Sequence, residues 1–247
     1  MADEWSRSDH LAMVARVWQV LLAATASLTP AAHGAAQSLI VGIPNADVTP
    51  ARAWFITHES QFKQKLDRVG WNTFQFLTYG AGYGTELAIS AVNFGAPSTG
   101  SRAFAVGFKS VGQLPTEMGQ RWELKGLAGT MVPVSIEDGS AGVWAFAAGS
   151  LRVPTSRTRV TMGPTLGTPQ LFGQRTAGLM MGVEQPLTQR FGLVADWYTG
   201  NHDLAALIPA VQIHLPREFV VLVGYKIPNP GAPGHAVMVE FAGILSR

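Results

Sequence analysis

The chain has 247 residues, enough for one large all-β domain without a second. Charged residues make up 14% of it and hydrophobic ones 47%, against roughly 25% charged in an ordinary soluble domain, a low density for a surface that water must cover. Cysteine is absent, which excludes a disulfide framework and thiol catalysis, and a net charge of +2 with no basic block gives no footprint for nucleic acid.

The first element reads as an export signal. Arg16 precedes an apolar stretch over 17–32, and Ala32 with Gly34, or Gly34 with Ala36, supplies the small residues of a cleavage site. Asp3, Glu4 and Asp9 are foreign to a positively charged leader, so Met13 reads as the cleaner start. The expected organisation is a signal peptide at 1–36, an N-terminal periplasmic segment at 37–52 and a β-domain at 53–247.

Beyond residue 37 the apolar residues alternate, with turn residues every 10 to 18 positions. About twelve strands are expected near 53–60, 70–79, 85–94, 102–111, 120–136, 141–152, 157–168, 174–186, 190–199, 204–215, 217–228 and 235–246. In the ninth, Phe191, Leu193, Ala195 and Trp197 share one face against Gly192, Val194, Asp196 and Tyr198. The connections GAGYG, GAPSTG, EDGSAG, GNHD and PNPGAPG carry turn chemistry, and such short links favour sequential antiparallel hairpins. Pro164 and Pro209 fall inside strands, where a bend or bulge is expected because proline lacks an N–H.

The two faces differ in a way that a water-soluble sheet does not require. One is apolar and almost free of charge. The other is Gly, Ala and Ser with about one charge per strand: Glu59, Glu86, Lys109, Glu123 with Lys125, Arg159, Glu184, Asp196, Lys226 and Glu240. Small residues with opposite charges suit the lumen of a narrow barrel. An apolar exterior suits lipid, where a mid-height Lys or Arg costs roughly 2–4 kcal/mol. The fold expected is therefore all-β: a closed, antiparallel, up-and-down transmembrane β-barrel. Trp54, Trp71, Trp122, Trp144, Phe191, Trp197 and Tyr225 are assigned to the membrane interfaces.

With signal, alternating strands and aromatic ends together, the chain resembles bacterial outer-membrane β-barrel proteins. The resemblance covers the strand region through its pattern and assigns no subfamily. One departure is that such proteins commonly end on an aromatic residue, whereas the last aromatic here is Phe241. The resemblance implies an outer-membrane location and the lipid bilayer as partner.

No hydrolase elbow, zinc motif, phosphate loop or dinucleotide fingerprint is present, so no enzyme activity, cofactor or metal is expected. His58-Glu59-Ser60 places His58 and Ser60 on one side of a strand, but i, i+2 side chains reach the roughly 2.6–3.2 Å of a nucleophile–base pair only with favourable rotamers. The triplet reads as a polar strand end. A narrow passive channel for small polar solutes is the expected function, with Gly107, Gly163, Gly178, Gly182, Gly192 and Gly224 leaving a path unless 61–69 or 37–52 folds deeply into it. The alternatives are a non-transporting barrel closed by ion pairs, a soluble periplasmic lipocalin-like or β-sandwich binder, and last a lipid-acting enzyme.

Overall fold

The computed structural model describes residues 39–64, 69–94 and 101–245. The expected signal peptide lies outside them. Twelve antiparallel strands follow in chain order: β1 (Trp54–Gln64), β2 (Val69–Gly82), β3 (Thr85–Val92), β4 (Ala103–Gln113), β5 (Lys125–Ser135), β6 (Trp144–Arg152), β7 (Arg159–Gly167), β8 (Ala177–Pro186), β9 (Phe191–Tyr198), β10 (Ala206–His214), β11 (Phe219–Pro228) and β12 (Ala236–Leu245). Each pairs with its sequence neighbours, and β1 pairs with β12 from Trp54–Leu245 to Lys63–Ala236, so the sheet closes with no free edge.

The start of β1 and the end of β12 lie together at one rim, here the proximal end. Most connections there are short: Tyr83 and Gly84 turn the chain from β2 to β3 with φ of 52° and 71°, the doubly left-handed geometry that matches strand twist. The proximal connection after β4 is the exception. It holds a short helix, Glu117–Arg121, capped by Thr116, whose hydroxyl accepts from Gly119 N at 3.0 Å. The strand expected to begin at 120 therefore begins at Lys125, because a helix cap intervenes where apolar alternation alone suggested extension.

The pleat sorts the residues. On β3 and β4, Leu87, Ile89 and Val106 face outward at 52%, 54% and 57% exposure, while Glu86 and Lys109 face inward at 2% and 4%. The same parity runs round the barrel. Val160 and Met162 lie outside Arg159 and Thr161, and Val221 and Val223 lie outside Leu222. Every Asp, Glu, Lys and Arg on a described strand falls on the inward parity.

Neither strand proline produces a bulge. Pro164 pairs with Leu179 and Pro209 with Ala195, and the ladder on the other side of each resumes in the same register after a short gap. The missing N–H interrupts bonding locally without shifting the strands. The register does shift between Gly80 and Gly82, beside the β2–β3 turn.

Candidate functional site

The lumen contains residues of the chain itself. Residues 39–49, ahead of β1, fold inside the barrel, where Ile40, Val41, Ile43, Asn45 and Ala46 are each no more than 1% exposed. The segment turns on itself through Ile40 N donating to Ile43 O at 2.8 Å. That turn aims three successive amides at one carboxylate. Asp196 Oδ2, on β9, accepts from Val41 N at 3.2 Å, Gly42 N at 2.5 Å and Ile43 N at 3.0 Å. A concave run of N–H groups around an oxyanion is a general anion-binding device, here turned inward to seat a peptide.

A second anchor uses charge of the opposite sense. Asp47 receives Arg159 bidentately, Nη1 at 2.5 Å and Nη2 at 3.2 Å, and Lys125 Nζ at 3.2 Å. Lys125 also donates to Ala46 O at 3.1 Å, and Arg159 reaches Glu184 at 3.5 Å. Burial pushes the Asp47 carboxyl upward, but Arg159 and Lys125 outweigh it and hold the group at about 2. The third anchor is Glu86, which accepts from Thr49 N at 2.7 Å and Thr49 Oγ1 at 2.9 Å while pairing with Lys109 at 3.2 Å.

Six residues assigned to the lumen from sequence thus converge on this segment or its partners: Asp196, Arg159, Lys125, Glu184, Glu86 and Lys109. Three others lie further along. Glu59 accepts from Gln61 Nε2 at 2.7 Å, Glu240 stands opposite Glu59 across the β1–β12 pair, and the Lys226 ammonium donates to Asp203 O. Glu123 departs from the expectation. It sits in the proximal connection with φ of 42°, half-exposed and bonded to Arg152 at 3.3 Å, because the chain there is leaving a helix rather than forming a strand.

Two glycines of the expected path meet packed atoms. A Cβ on Gly182 would collide with the side chains of Ile40 and Ile43, and one on Gly107 with Met131, so these glycines make room for packed atoms. A cavity of about 180 Å³ lies beside Leu39 and Val41, bounded by Glu59, Phe76, Trp144 and Tyr198 among others.

Of the interface aromatics, Trp54 projects outward against Tyr79 with centroids 4.8 Å apart, and Trp71 stacks on Phe62 at 5.5 Å at the distal end. Phe191 lies outward at the proximal start of β9. Trp197 lies at the distal end, its Nε1 donating to Asn229 Oδ1 at 3.0 Å, and Tyr225 stacks on His235. Trp122 ends the short helix in the proximal connection. Trp144 does not belong with them. It shares the inward parity of Phe146, donates to Thr165 Oγ1 at 2.7 Å and packs against Phe146 and Tyr198.

The stretch 37–52, expected as a periplasmic segment with entry into the pore as the exception, has residues 39–49 inside the barrel, and Ile40, Ile43, Asn45 and Thr49 were not singled out from sequence as parts of the site. Their signal was the apolar run followed by Asn45 and Asp47 immediately before the first strand. Among the described residues no three His, Cys, Asp or Glu side chains gather as a metal ion would need. A scan against protein-family models finds none that matches the chain, and a search of curated proteins finds no match.

Proposed function

We propose that the chain is a bacterial outer-membrane barrel whose lumen is closed at rest by its own N-terminal segment, and that it is not an open pore in this conformation. The observation that carries the reading is the seating of residues 41–43 on Asp196, reinforced by Asp47 between Arg159 and Lys125. The membrane part rests on the uncharged outer wall, the closed sheet and the aromatic pairs at either end of the β1–β2 ribbon. The end that carries the shorter turns and both strand termini is assigned to the periplasmic side, since such barrels put short turns there and longer loops outside.

The narrow-channel reading thereby gives way to the closed barrel. Reconstituted wild-type protein is expected to give neither steady conductance in planar bilayers nor swelling of liposomes in small sugars and amino acids. Substituting Asp47 and Asp196 together by Ala should open a leak. Wild-type liposomes that swell would overturn the closed-lumen reading.

A further inference from the structure

The outer wall is largely apolar, with Thr85 paired to Ser110, Thr130 and Gln185 among its scattered polar residues, and it carries one acidic or basic side chain among the described strands. On β1, His58 and Ser60 take the outward parity, and on the adjoining β2 so do Thr73 and Gln75. His58 is the one His, Lys, Arg, Asp or Glu on the outward parity of the described strands. The four groups are organised. His58 Nε2 lies 3.2 Å from Ser60 Oγ, and Gln75 Nε2 lies 3.4 Å from His58 Nδ1. The Gln75 Oε1 is buried without a hydrogen-bond partner. Hydroxyl, imidazole and amide thus stand in series, each ring nitrogen facing one neighbour.

The tautomer decides what the series can do. With the Gln75 NH₂ donating to Nδ1, the ring proton sits on Nε2 and Ser60 is merely hydrogen-bonded. Turning the amide by half a rotation gives up the long 3.5 Å contact from Gln75 Nε2 to Phe94 O, but it puts Oε1 opposite Nδ1, gives that oxygen the donor it lacks, and leaves His58 Nε2 as an acceptor for the Ser60 proton. That second arrangement is the nucleophile–base–orienter geometry of acyl transfer.

Its height on the wall selects the substrate. Ser60 is two residues from Phe62, whose stack with Trp71 marks the distal interface, so at strand rise and a tilt of about 45° it lies about 5 Å inside that belt. Aromatic belts sit at headgroup level, so just beneath lie the ester carbonyls that join acyl chains to lipid headgroups. Polar side chains on a lipid-facing wall are costly, and this set holds the one His, Lys, Arg, Asp or Glu on the outward parity of the described strands, which marks it as a candidate for function.

We propose that Ser60, His58 and Gln75 form an esterase site on the outer wall, acting on ester-linked acyl chains of lipids in the distal leaflet. Ser60 Oγ attacks the ester carbonyl carbon as His58 Nε2 takes its proton. The tetrahedral intermediate collapses by breaking the bond to the headgroup-side oxygen, which leaves as an alcohol carrying that proton. His58 then deprotonates a water that attacks the acyl-Ser60 ester, releasing a fatty acid and restoring the serine. Gln75 is a positioning residue that fixes the His58 tautomer. The proposal rests on the membrane reading above.

The test uses the purified full chain in detergent and in vesicles, with folding monitored by heat-modifiable migration. A dodecyl fluorophosphonate probes Ser60. Phosphatidylethanolamine–phosphatidylglycerol vesicles and purified lipopolysaccharide serve as separate substrates, with released fatty acid measured by mass spectrometry. The expected result is labelling at Ser60 and release from one of the two lipids, which identifies the acyl source. Ser60→Ala should stay heat-modifiable and lose release by roughly 10³-fold or more, and His58→Asn likewise. Gln75→Leu should lower release at least about tenfold, and Gln75→Glu, which keeps an acceptor facing Nδ1, should restore it and shift its pH profile. Release from neither lipid, or an undiminished rate in Ser60→Ala, overturns the proposal. Loss of heat-modifiability in the wild type instead overturns the membrane reading.

Discussion

Substituting Asp196 by Ala removes the one acceptor shared by three lumen amides. Each hydrogen bond to backbone is worth a net of about 1 kcal/mol, and three sharing one oxygen are taken at about 3 kcal/mol together. Against this, Ile40, Val41 and Ile43 are buried almost completely, and each such side chain contributes roughly 1.5–3 kcal/mol. The apolar term exceeds the lost polar one, so the segment should stay in the lumen while opening locally more often. Hydrogen exchange resolved at residues 41–43 should accelerate by roughly 10²-fold, since about 1.4 kcal/mol corresponds to a factor of ten. Amides of β3 and β4 should hardly change, and the single variant should not conduct. Unchanged exchange at 41–43 would refute the seating of this segment on Asp196. Full conductance from Asp196→Ala alone would refute the claim that apolar burial dominates.

The other two lumen predictions use the remaining anchors. The Asp47 carboxyl is depressed in the fold, so its contribution is fully present above the ordinary carboxylate value of 3.8 and fades as pH falls through about 2. That shift corresponds to about 2 kcal/mol, and exchange at residues 45–49 should accelerate between pH 4 and pH 2 in wild type but not in Asp47→Asn. Gly182→Leu puts a side chain where Ile40 and Ile43 pack, which overfills the lumen at a cost of roughly 1–3 kcal/mol. Its signature should be looser protection of the N-terminal segment in an intact barrel, and a segment as protected as in wild type would show that the packing has been misjudged.

The barrel was legible because one rule, alternation, governs nearly every strand, and a period of two marks both the strand and its two faces. Asp196, Arg159 and Glu86 were assigned to the lumen on parity alone, and their side chains lie buried on the inward parity of their strands. Where a second signal overrode alternation, the reading slipped. Thr116 starts a helix that delays β5, and Trp144 was assigned to the interface from its chemical type and its place at a strand end, although its spacing from Phe146 already put both on one face. The lumen segment was hard to see for a different reason. Residues 39–49 form no regular strand or helix, so no period betrays them, and the charged side chains they meet lie from 37 to 155 positions away. The outer-wall pair was visible as a triplet but not as a site, because Gln75 joins it only through the β1–β2 register.

The same parity that seats charge inside provides the sharpest discrimination between a lipid-facing and a water-facing wall. Ile89 lies in the middle of β3, outward and 54% exposed, flanked across the sheet by Leu77 and Val106. If water solvated this wall, Ile89→Lys would be an ordinary surface change, within about 0.5 kcal/mol of neutral. If acyl chains solvate it, the ammonium must cross or snorkel out of hydrocarbon at a cost of roughly 2–4 kcal/mol. Lys63, on the inward parity of β1, gives the matched control: Lys63→Ile leaves the outer wall untouched. Urea titration of refolding into vesicles, read by heat-modifiable migration, should show a large loss for Ile89→Lys and not for Lys63→Ile. An Ile89→Lys chain that folds as well as wild type without lipid would remove the bilayer from the argument. The closed barrel and its lumen segment would then stand as features of a soluble protein.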